Sequence, residues 1–238
     1  MSAVLDLGDL AVEVVRKPIK HLHLGVYPPD GRVRVATPER LSLNSIRLFV
    51  IGKLPWIRQQ QKRMLAQARA PALEYVERES HFLWGRRYLL RILTTDRAPA
   101  VVLRARTIDL HVRLGFGAKQ RGELMERWYR DELRRGLQPL LEKWQRLLNV
   151  KAERVYLQRM KTKWGSCNPH LGNIRLNTEL ARKPLECLEY IVVHELVHLR
   201  EPDHGPRFVA LMDSALPGWR DLRDVLNRLP LNHADWTY

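Results

Sequence analysis

PLECLEYIVVHELVHLREPDH, residues 184–204, is the stretch on which both the fold and the chemistry turn. Its strongly apolar run, Ile191, Val192, Val193, Leu196 and Val197, predicts a buried helix from about Pro184 to Leu199. Pro184 falls in the first turn, where its missing N–H is harmless, and Pro202 stops the helix. His194 and His198 are four residues apart, so one turn brings both imidazoles onto the same face. Two neutral ring nitrogens placed in that way can reach one zinc ion at about 2.0–2.1 Å. Glu195 sits one step around the helix. There it can take a proton from water and pass it to a leaving group.

Two ligands do not hold a catalytic zinc, so a third is needed with one position left open. His204 follows the helix break at Pro202-Asp203 and is preferred, because imidazole suits zinc and the break supplies the turn. Asp203, Asp213 and Asp221 are the alternatives. The bland reading is a buried helix with two hydrogen-bonded core histidines, but a charged Glu195 in a dry core would then need a partner. Three imidazoles would also accept cobalt, nickel or copper.

Upstream lie Lys161-Thr162-Lys163-Trp164-Gly165-Ser166-Cys167 and Asn173-Ile174-Arg175-Leu176-Asn177, a strand pair around the turn at residues 168–172. As a cleft wall, such an edge would bind an extended substrate. Lys163, Trp164, Arg175 and Asn177 are the candidate contacts, with Lys163 or Arg175 near an anionic group. As scaffold, Trp164 would be core and Gly165 a bulge. Cys167 is close enough in sequence to suggest a thiol nucleophile, which activated water makes redundant.

Farther out, residues 119–148 read as a long helix with Leu124, Trp128, Leu133, Leu137, Trp144 and Leu148 on one face, bent near Pro139. Residues 75–114 are strand-rich. His21 to Thr37 alternates around Pro28-Pro29-Asp30-Gly31 as a hairpin does, and residues 42–69 have helical spacing broken by Gly52 and Pro55. No internal repeat is visible. These elements predict an α+β fold with an N-terminal antiparallel β-rich region. The composition shift suggests a basic region over 1–118 and a helical catalytic region over 119–238.

The 238 residues carry 41 Lys and Arg against 26 Asp and Glu, a net charge of +15. The surplus is +11 over residues 1–120, which would attract nucleic acid, nucleotides or acidic proteins. No stretch is apolar enough for a membrane span, and Met1 to Leu10 lacks the basic start of a secretory signal. Two cysteines cannot build a disulfide framework. A cytoplasmic protein without a membrane partner is therefore expected, and its oligomeric state is not readable.

Three segments together resemble the YgjP-like metal-dependent hydrolases, a domain-of-unknown-function 45 family related to the WLM and SprT zincins. They are residues 24–35, residues 160–167, and the His194-to-His204 segment with Gly205 and Phe208. Between its second and third histidines this chain has Glu201-Pro202-Asp203, where the family often has an unbroken basic or apolar stretch. The resemblance implies a zincin-like metallopeptidase fold and one zinc on His194, His198 and His204, with Glu195 as general base. It implies a peptide or protein substrate. Some members are described instead as nucleoside-triphosphate pyrophosphatases, and a nucleic-acid-associated protease or binding module is a further alternative. No Gly-rich phosphate loop or carboxylate cluster for magnesium supports the phosphoanhydride reading.

Overall fold

The computed structural model describes residues 2–27, 31–66, 73–160 and 163–229. By internal contacts the chain divides into two compact units, with the break between Arg69 and Ala70.

In the first unit, β1 (Ser2–Asp6), β2 (Ala11–Lys17), β3 (His23–Tyr27) and β4 (Arg32–Pro38) form a sheet of order β1-β2-β4-β3. Period-two alternation turns Val12, Val14, Val33 and Val35 to one face. Helices α1 (Leu43–Gly52) and α2 (Leu54–Ala66) complete that core with Ile46, Val50 and Ile57. The anticipated hairpin is β3–β4, with Leu24 opposite Val35. Its turn residues Pro28 to Asp30 lie outside the described residues. The helical pattern over 42–69 splits at Lys53, between Gly52 and the first-turn Pro55 of α2.

The second unit opens with β5 (Ser80–Leu83), β6 (Arg86–Thr94), β7 (Ala100–Leu103) and β8 (Thr107–Val112), in the order β5-β6-β8-β7. The outer pairs of both four-stranded sheets are antiparallel, as expected. Each middle pair, β2–β4 and β6–β8, is parallel. The same topology therefore occurs twice without a visible sequence repeat, because alternation and turns specify it and many sequences satisfy both. Leu83, Leu90, Ile108 and Leu110 share one core with α3 (Ala118–Leu148). This is why the unit boundary falls near residue 69, whereas the shift to helical composition marks residue 118. Composition records secondary structure, and packing assigns those strands to the helices that follow them.

The β5–β6 turn is Trp84-Gly85, both at positive φ (48° and 76°), the backbone of a type I′ hairpin. It docks against Ala181 and Pro184, ten or more residues ahead of the paired histidines. The Trp84 N–H donates to the Ala181 carbonyl at 2.9 Å, and its indole lies against Gly136 of α3. Helix α3 buries the anticipated stripe, runs through Pro139, and ends at Asn149 in the left-handed conformation.

Next come β9 (Arg154–Gln158), β10 (Gly165–Asn168) and β11 (Asn173–Asn177), in the order β10-β11-β9. Strand β10 lies at the sheet edge. A 3-10 turn (Thr178–Arg182) leads to α4 (Leu185–Val197), α5 (Pro206–Ala215) and α6 (Trp219–Arg228). Helix α4 buries Ile191, Val192, Val193, Leu196 and Val197, as its composition predicts. Among the described residues, no helix is long and apolar enough to cross a membrane.

One buried ion cluster ties the 3-10 turn to α3. Arg182 is 6% exposed. It donates to Glu179 at 2.6 Å and to Glu126 at 2.8 Å, and its guanidinium lies 3.9 Å from the centroid of the Tyr129 ring. Arg182→Ala strands the Glu179 charge in a dry setting and is expected to lower stability by about 3–5 kcal/mol. Urea unfolding measures this. A loss below about 1 kcal/mol would mean the pair behaves as a solvent-screened one.

Candidate metal centre

Helix α4 delivers His194 and His198 one turn apart, and the chain past its end returns His204 to the same point. His194 Nε2 lies 3.2 Å from His198 Nε2 and 3.1 Å from His204 Nε2. The three ligand atoms all lie within 4.8 Å of one another. Three imidazole lone pairs facing one point repel unless a cation sits between them, so this donor set suits a metal of zinc's type. The residues fit the ion that the spacing calls for.

The surroundings keep the rings of His194 and His198 neutral and aimed. His198 Nδ1 lies 3.1 Å from the Glu201 carbonyl, which places its proton there and turns the Nε2 lone pair inward. Burial, reinforced by the two neighbouring histidines, pushes His194 down to about 3. Burial likewise holds His198 below its ordinary value. His194 Nδ1 is buried without a hydrogen-bond partner among the described residues.

Glu195 is 4% exposed, one of its carboxylate oxygens finds no partner among the described residues, and burial pushes its carboxyl up to about 8 against the opposing charge of Lys163. A cation held by the three histidines would oppose that rise. The pairing of a buried carboxyl with converging imidazoles is what proton transfer at a metal requires.

The four upstream candidates divide. Lys163 is exposed, and its charge reaches Glu195. Trp164 is half-buried against the core, with the Lys183 ammonium 5.7 Å from its ring centroid. Ile174 and Leu176 enter the core, so alternation puts Arg175 on the other face of the sheet, 5.7 Å over the Tyr156 ring. Asn177 is not a free substrate contact. It is 4% exposed, and its Nδ2 donates to the carbonyls of Met160 and Lys163, both at 2.8 Å. Its side chain ties those two carbonyls together ahead of β10. Cys167 is kept as a thiol, since burial and then the Glu195 charge push it up to about 11.

Two residues escaped the sequence reading as participants. Phe208 of α5, 2% exposed, packs its ring centroid 4.7–4.9 Å from all three imidazoles. Gly165 lies directly against Glu195. Phe208 stands four residues after His204, and that spacing on a following helix was the one signal available.

The family model described as "YgjP-like, metallopeptidase domain" matches residues 21–229. The chain belongs to the YgjP-like family. As a YgjP-like metallopeptidase domain it is a metal-dependent hydrolase, with the α+β architecture described above. It is similar to the metallopeptidase zymogen abylysin of Pyrococcus abyssi, at 24% identity over 37% of this chain and 89% of that one, with a TM-score of 0.35. It is also similar to the zymogen jannalysin of Methanocaldococcus jannaschii, at 21% identity over 37% and 90%, with a TM-score of 0.34. No curated protein matches.

Proposed function

We propose that this YgjP-like chain is a zinc peptidase whose ion is held by His194, His198 and His204 and whose general base is Glu195. The convergence of three imidazole nitrogens beside a buried carboxyl carries the reading. Bound zinc would polarise the scissile carbonyl and acidify water near neutral pH. Glu195 takes the proton from water as its oxygen bonds to the carbonyl carbon. It then delivers that proton to the amide nitrogen as the C–N bond breaks. The β10 edge offers backbone groups for an extended polypeptide, and Lys163 beside it would favour an acidic one. The two free thiols, Cys167 and Cys187, support a cytoplasmic setting.

Chelation is the direct test. Cleavage of an unstructured protein substrate should stop with a zinc chelator and return on adding one equivalent of zinc. Cleavage indifferent to chelation would end the zinc reading.

A second reading adds nucleic acid as a partner. It is favoured by the run from Arg40 to Leu73, which contains seven Lys and Arg and no Asp or Glu. Affinity for duplex DNA should then fall steeply with salt, and binding that ignores salt would remove this reading.

A further inference from the structure

We propose that Gly165 is a positioning residue for Glu195: the missing side chain on the edge strand is what lets the carboxylate occupy its place beside the three histidines. This rests on the reading of Glu195 as the base.

A Cβ built on Gly165 would stand 2.8 Å from Glu195 Cγ and 2.9 Å from Cδ, and closer still to Oε1. All three atoms belong to the functional arm, so relief must come from moving the strand or moving the carboxylate. The strand is held. Gly165 pairs with Leu176 of β11, the Asn177 N–H donates to the Trp164 carbonyl at 2.9 Å, and Asn177 Nδ2 holds the Lys163 carbonyl. The helix is held as well, because Val192, Val193, Leu196 and Val197 around Glu195 are all buried. What remains is the carboxylate, and a shift near 1 Å in a reacting group is enough to lower a rate by about 10²-fold. The backbone conformation at Gly165 does not lie in the left-handed region. Contact with Glu195, not φ, is therefore what calls for glycine here.

Two measurements test this. In the zinc-loaded enzyme, Gly165→Ala should lower kcat about 100-fold with KM and zinc affinity within about threefold of wild type. Retained kcat, or lost zinc, would overturn the proposal. Glu195→Gln run alongside keeps the two readings apart, since an active Glu195→Gln sinks the base assignment, whereas a dead Glu195→Gln with an active Gly165→Ala sinks only the positioning role. The second measurement needs neither activity nor metal. Gly165→Ala should lower the Tm of the metal-free protein in the native background, and not in a Glu195→Ala background, where the added methyl has room. An equal loss in both backgrounds would place the clash elsewhere and refute the contact, even if Gly165→Ala alone proved too unstable to assay.

Discussion

Glu195→Gln is expected to leave a folded protein that binds one zinc per chain and hydrolyses peptides about 10²–10⁴-fold more slowly, the range for removing a general base. The amide is nearly isosteric and fills the same buried space beside Gly165, but it cannot accept the proton from water. The loss should therefore fall on kcat, with KM little changed. The variant has a second signature. In the metal-free protein burial pushes the Glu195 carboxyl up to about 8, above the ordinary carboxylate value. As pH rises between those limits the unfolded chain loses the proton first, so stability falls through that window. Glutamine carries no such proton. Its unfolding free energy should be flatter with pH there, with the variant the more stable protein above the window. Urea midpoints at pH 5 and pH 8.5 for both proteins measure this. A variant whose pH slope parallels the wild type would mean that Glu195 is ionised normally and solvated.

Replacing the third histidine should affect metal binding as strongly. His204 is exposed and lies outside α4, so His204→Ala removes a ligand atom without opening the core. Zinc affinity is expected to fall by roughly 10²-fold or more, since even partners of metal ligands are worth 10–100-fold. Elemental analysis should find about one zinc in the wild type and little in the variant. The Tm gives an independent reading, because a ligand at 100 times its Kd adds about 2.7 kcal/mol to stability. Zinc should therefore raise the wild-type Tm and leave that of His204→Ala unmoved. Stoichiometric zinc in the variant would transfer the third position to another group. Asp213 is a poor candidate, since its carboxylate is engaged by Arg220 and by the Trp219 indole N–H at 2.8 Å.

The residues of the candidate centre differ in how far the sequence could expose them, and distance along the chain explains the difference. His194, Glu195 and His198 share one helix, so their faces follow from 3.6 residues per turn. His204 lies across a helix break, where spacing alone leaves Asp203, Asp213 and Asp221 as rivals. Phe208 and Gly165 meet the centre only through packing, and neither residue type announces that contact. Asn177 has the same limit: a polar residue ending a strand looks available, and only the tertiary structure shows the Met160 and Lys163 carbonyls it serves.

Taken alone, the sequence determined the α+β class, the α4 helix with its paired histidines, the stripe of α3 and the positions of most strands, because these depend on periodicity and turn chemistry within a few residues. Tertiary structure decided the unit boundary near residue 69, the parallel middle pairs of both sheets, the convergence of His204 and the closeness of Gly165 to Glu195. Each of these joins segments far apart in the chain, and long-range packing leaves no local periodic signal for the sequence to carry.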